Sequence, residues 1–102
     1  MNNMRQMLAQ AQKLQSKMAE KQKELEKQEV EGSAANGAIV VRITLKGEMK
    51  SIKISKDVVN ADEVDILEDL VVAAFNDAKS KADKQYESGM KEVTGGFNIP
   101  GF

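Results

Sequence analysis

The stretch NGAIVVRITLKGEMKSIKIS, residues 36–55, decides the fold. From Ile39 onward its side chains alternate, with Ile39, Val41, Ile43 and Leu45 on one side and Val40, Arg42, Thr44 and Lys46 on the other. A period of two marks a half-buried strand. Asn36-Gly37 suits a tight turn before it, and Lys46-Gly47-Glu48 suits a short hairpin into Met49 to Ser55, where Ile52 and Ile54 repeat the inward face. A shorter strand around Glu29 to Ser33 precedes the first turn. The expected product is a three-stranded antiparallel sheet over residues 29–56 with one solvent-facing, basic side.

Both flanks of this stretch change to a helical period. Residues 1–28 contain no Gly or Pro and are rich in Gln, Lys, Glu, Ala, Met and Leu, which predicts one long helix. Its apolar side chains Met4, Met7, Ala11, Leu14, Met18 and Leu25 fall on one face. Read as heptads, the seam is good at its start and fails at Lys21 and Gln28. Such a helix is about 40 Å long, more than the roughly 33 Å diameter of a compact domain of this size. It must project or lie across a partner, and a homodimer would cover its apolar stripe.

On the other flank, Asn60-Ala61-Asp62-Glu63 has the form of a capping box and predicts a helix over residues 60–92. Val64, Leu67, Leu70, Val71, Ala74, Phe75, Ala78, Ala82 and Tyr86 recur along it at core spacing, and Gly89 weakens its last turns. Asn76 is expected to satisfy a polar partner inside this helix's packing. Two adjacent glycines, Gly95 and Gly96, end the helical pattern and leave residues 93–102 as a tail. The whole reads as one α+β domain over residues 1–102, built as helix, three strands and helix in two layers.

Composition narrows the function. The chain has 102 residues and neither Cys nor His, so thiolate and imidazole chemistry, zinc fingers and disulfides are excluded. No apolar run approaches the roughly 20 residues needed to cross a bilayer, and the first residues lack a signal core, which predicts a soluble, intracellular protein. No phosphate-cradling Gly-rich motif is present. Serines have only lysines as possible activators, and catalysis is not expected. Asp57, Asp62, Glu63, Asp65, Glu68 and Asp69 do not have the spacing of a calcium loop, and helix-dipole complementarity explains them without a metal. No cofactor and no small-molecule substrate are expected.

Net charge is −1 but unevenly placed. Residues 1–28 carry six basic and three acidic side chains, whereas residues 62–102 carry four and nine. Lys13, Lys17 and Lys21 form a ridge four residues apart, with Arg5 on a neighbouring line. Such a ridge can bind duplex phosphates by counterion release, or it can be a solvated face paired with Glu20 and Glu24. Arg42, Lys46, Lys50, Lys53 and Lys56 likewise extend a nucleic-acid surface or protect a sheet edge from aggregation. The residues alone leave both choices open. No aromatic side chain lies among them to stack an unpaired base.

Residues 67–78, LEDLVVAAFNDA, closely resemble the signature helix of the YbaB/EbfC family of bacterial nucleoid-associated proteins. The Met/Gln/Lys-rich opening helix, the hairpin from Gly37 to Gly47 and the ending from Gly96 to Phe102 are similar to that family in the same order. The resemblance implies a tight homodimer with projecting helices that binds double-stranded DNA with little sequence preference. It implies roles in nucleoid organisation and gene expression, located in the cytoplasm and nucleoid. It places DNA contacts on Arg5, Lys13, Lys17, Lys21, Lys79, Lys81, Lys84 and Lys91. The dimer interface is expected at Met7, Leu14, Met18, Leu70, Ala74 and Phe97. The competing reading is a protein-interaction module whose partner acts in DNA repair or replication.

Overall fold

A computed structural model describes residues 2–95. The order is α1 (Asn2–Glu26), β1 (Glu29–Ala34), β2 (Ile39–Thr44), β3 (Met49–Ile54), one 3-10 turn (Lys56–Val58) and α2 (Val64–Thr94). This is the expected α+β arrangement. The strands lie in the order β1-β2-β3, antiparallel throughout. Residues 96–102, including Phe97 and most of the expected tail, lie outside the described residues.

Turn chemistry closes both hairpins. Ala35, Asn36 and Gly37 all have positive φ, and the Ala38 amide donates to the Ala35 carbonyl at 3.1 Å. Gly47, at φ 92°, turns the second hairpin, where the Glu48 amide donates to the Thr44 hydroxyl. Alternation puts Thr44 on the solvent side of β2, yet it is buried. The connection from α1 folds over that end of β2, with the Leu45 amide donating to the Gln28 carbonyl at 3.2 Å.

The core is the inner face of β2 against a stripe of alanines. Ile39, Val41 and Ile43 are fully buried, as are Ala74, Ala78 and Ala82 at four-residue spacing on α2. Gly32 of β1 pairs with Val41 and lies directly on the α2 backbone. A Cβ at that position would overlap the Ala78 amide and stand 2.6 Å from Ala78 Cα. Strand and helix backbones therefore touch with no side chain between them.

Several expectations are corrected. The capping box does not form: the Asn60 carboxamide accepts from the Asp62 amide in a local Asx turn, and α2 starts at Val64 behind Glu63, which makes no side-chain cap. The Asx turn satisfies Asn60 before the chain reaches the helix. Ile52 and Ile54 do not complete the buried face, being 39% and 40% exposed. Packed tightly onto β1 and β2, α2 does not cover β3. Met4 and Met7, on the stripe expected to meet a partner, stand open on α1. Asn76 is exposed rather than enclosed.

The molecule measures 74 × 21 × 17 Å, and its radius of gyration is 20.0 Å. A compact chain of about 100 residues would have a radius near 13 Å. α1 and α2 run antiparallel with Leu25 against Gly89, so the first half of α1 extends past the end of α2. The expected projecting helix is present.

Replacing Gly32 with Ala is expected to lower unfolding free energy by about 3 kcal/mol, because the backbones must separate. Gly37→Ala, which meets nothing within 4 Å but has φ +87°, should cost only about 1 kcal/mol. Urea unfolding of the two variants checks the contrast.

Candidate nucleic-acid interface

The two helices meet where the sequence pattern shows only a weak helix end. Leu25 is 2% exposed and sits over Gly89, whose added Cβ would lie 2.5 and 2.9 Å from the Leu25 methyl carbons. Glycine at this position is a packing requirement of the crossing. The only trace of it in the sequence is a glycine inside a strong helical pattern.

Polar ties flank the crossing. The Lys21 ammonium donates to Glu92 at 3.1 Å and lies 3.9 Å from Glu24. The Gln85 carboxamide donates to that of Gln28 at 2.6 Å. Between them is a groove lined by Lys21, Gln28, Lys81, Lys84, Gln85 and Ser88, with Glu31 and Glu92 at its margins. The hydrogen bond to Glu92 holds the Lys21 ammonium above its ordinary lysine range, against partial desolvation, and the Glu24 and Glu92 charges add to the rise. Lys21 is thus a helix-to-helix tie, with its side chain only 19% exposed.

The expected DNA contacts separate into distinct environments. Arg5 and Lys13 are exposed on the projecting half of α1 and form no ion pair among the described residues; Lys17 lies on the same half. Lys21, Lys81 and Lys84 come together at the groove. Lys79 is paired with Asp83 and packs toward Gly47. Lys81 is 3.1 Å from Asp77, and Lys91 is 3.3 Å from Glu87. Of the four expected α2 lysines, Lys84 alone has no ion pair among the described residues.

Asp77 links this helix to the sheet. Its carboxylate accepts the Ser33 amide at 3.0 Å and pairs with Lys81. The Ser33 hydrogen bond is the main cause that holds the Asp77 carboxyl below the ordinary aspartate range, with Lys81 adding to it. On the outer face of the sheet, Arg42 bridges Glu31 and Glu29 between β2 and β1. The guanidinium is held above its usual range chiefly by the hydrogen bond to Glu31.

The expected dimer contacts differ widely in available surface. Met7 is 68% exposed, and Met18 and Leu70 are half-buried. Leu14 is buried, and Ala74 has no exposed surface because Gly32 covers it within the protomer. Open apolar side chains that the sequence pattern does not single out for pairing are Ile52, Ile54, Val59, Val64, Ile66 and Val72. None of the described helices is long and apolar enough to cross a membrane.

Comparison with known proteins bears on this geometry. The family model described as the YbaB/EbfC DNA-binding family matches residues 1–97. A nucleoid-associated protein of Rhodospirillum rubrum is 49% identical over 100 residues, covering 98% of this chain and 94% of its own length. One from Alkaliphilus metalliredigens is 46% identical over 99 residues, covering 97% of this chain and 87% of that protein. The solved structure of an uncharacterized Helicobacter pylori protein matches with a TM-score of 0.67 at 11% identity, over 81% of this chain and 87% of the other. At that identity the likeness concerns fold alone.

Asp77→Ala should destabilise the protein at neutral pH, and the gap to the unmodified protein should close in acid. The carboxyl is lowered in the folded state, so its contribution is complete above the unfolded value of about 3.9 and is lost as pH falls through the folded value. Urea midpoints at about pH 7 and about pH 2.5 test this. A gap that stays constant would show that Asp77 acts without its charge.

Proposed function

The chain belongs to the YbaB/EbfC DNA-binding family, and from that premise we propose that it is a homodimeric, nucleoid-associated protein of the cytoplasm that binds duplex DNA with little sequence preference. The observation that carries this reading is the projecting half of α1, which bears Arg5, Lys13 and Lys17 at the end of a 74 Å molecule. Phosphates need only accessible cations at the right spacing, and no base-reading side chain is required. Uniform gripping of duplexes would contribute to nucleoid organisation and gene regulation.

A second chain would cover the apolar side chains that α2 leaves open. Ile52 and Ile54 on β3 and Val64, Ile66 and Val72 on α2 supply a surface for isologous pairing. Pairing would also double the number of basic helices on one particle, which raises avidity for a long polyanion.

A mobility-shift titration on an unrelated duplex across a salt series tests DNA binding. Micromolar or tighter affinity, removed by non-specific competitor and falling steeply with salt, is expected. Lys13→Ala with Lys17→Ala should weaken all duplexes alike and flatten the salt slope by about 0.9 for each phosphate that is no longer neutralised. No shift at low salt by the folded protein would favour the protein-interaction reading, for which the exposed Met4, Met7 and Leu8 offer a surface.

Sedimentation tests the dimer separately. Two chains per particle are expected, and Ile52→Glu should yield monomers at micromolar concentration, since a charge cannot be buried there unpaired.

A further inference from the structure

We infer that the duplex phosphates are followed beyond α1 by a second contact track, formed by Lys23 and Lys27 at the end of α1 and by Lys50 and Lys53 on the outer face of β3. This rests on the DNA-binding reading and says where on the protein the duplex lies.

Three of the four α2 lysines are poorly available to a phosphate. Lys79, Lys81 and Lys91 each already hold a carboxylate one turn away on the same helix. A phosphate that displaced Asp83, Asp77 or Glu87 would gain one attraction and face a freed negative charge. Lys23, Lys27, Lys50 and Lys53 hold no ion pair among the described residues. Binding there releases counterions without breaking a protein contact.

Two shallow grooves bring these four cations together. Lys23, Lys27, Lys46 and Lys50 line the first, between the end of α1 and the β2–β3 turn. Lys50, Lys53, Arg42 and Ser51 line the second, on the outer sheet face. Lys50 belongs to both, so the grooves adjoin. Most carboxylates at their margins are already engaged: Glu26 lies 3.6 Å from Lys46, and Glu29 and Glu31 share Arg42. Glu48 is the one lining acid without an ion pair among the described residues, and four lysines outnumber it.

The position of Lys50 has a structural cause. The register passes from Arg42↔Ser51 to Ile43↔Met49, so Lys50 is the extra residue of a β-bulge. Strict alternation would turn Lys50 to the side of Ile52, toward the helix layer. The bulge lets it line the outer face beside Arg42, Ser51 and Lys53. Edge protection accounts for lysines on β3, but not for their convergence with Lys23 and Lys27 from another element. Around α1, Arg5, Lys13 and Lys23 fall within about 80° of one another, so the same helix face leads from the projecting end toward the sheet, and Lys27 follows in the turn just after the helix.

The test compares three double variants of equal charge change in the full-length protein: Lys23→Gln with Lys27→Gln, Lys50→Gln with Lys53→Gln, and Lys79→Gln with Lys91→Gln. Each is checked for unmodified thermal unfolding and then titrated onto one unrelated duplex across a salt series. The first two are expected to lose affinity tenfold or more and to flatten the salt slope by about 1.8, while the third stays within threefold of the unmodified protein. Lys→Arg versions of the first two should restore binding, because charge and reach return. Unchanged binding by either of the first two, or an equal loss in the third, overturns the track while leaving DNA binding intact. Failure of the unmodified protein to bind any duplex removes the DNA reading itself, and the track with it.

Discussion

The contact on which the rest depends is that of Gly32 with the Ala74–Ala78 turn of α2. Only a residue without a side chain, facing residues with the smallest, lets a strand and a helix touch backbone to backbone. That approach fixes the height and position of α2 over β1 and β2 and allows Ile39, Val41 and Ile43 to be fully buried. It also consumes the width of the helix, so β3 is left outside its cover. An incomplete protomer core, with Ile52 and Ile54 of β3 left open, is thus one result of that packing choice.

The same economy governs the charges. Acidic residues that neutralise α2 also hold the protomer together: Asp77 caps the Ser33 amide, and Glu92 ties α2 to Lys21 of α1. Lysines engaged in these contacts stabilise geometry and are poor phosphate ligands. Among the described residues, Arg5 and Lys13 on the projecting half of α1 and Lys50 at the bulge form no ion pair, and no helix crossing uses them. Paired and unpaired lysines are distinguished by their neighbours, and neighbours are three-dimensional.

This is why the sequence disclosed the elements better than the site. Strand alternation at Ile39–Leu45 and the helical spacing of Ala74, Ala78 and Ala82 are local periodicities, and local periodicity maps directly onto a buried face. Three facts depended on contacts between distant segments. Gly89 looks like a weak point because its partner Leu25 is 64 positions away. Ile52 and Ile54 look buried because alternation shows which side a residue faces, not whether anything covers that side. Lys50 looks like an inward position until the bulge removes one residue from the register. Asn60, by contrast, carries a valid helix-start pattern that a local Asx turn satisfies first.

A chain of net charge −1 can still present a basic end, because Arg5 and Lys13 lie far from the acids that open α2. The antiparallel crossing at Leu25 and Gly89 sends the start of α1 and the start of α2 in opposite directions. At 1.5 Å per residue, Arg5 and Asp65 lie roughly 65 Å apart along the axis. The screening length at physiological salt is about 8 Å, so Asp62, Glu63, Asp65, Glu68 and Asp69 cannot cancel the field of the opposite end. Whole-molecule charge would govern association only if the molecule were small compared with that length. In a protein 74 Å long, the helix crossing sets the sign of charge that each end presents to a polyanion.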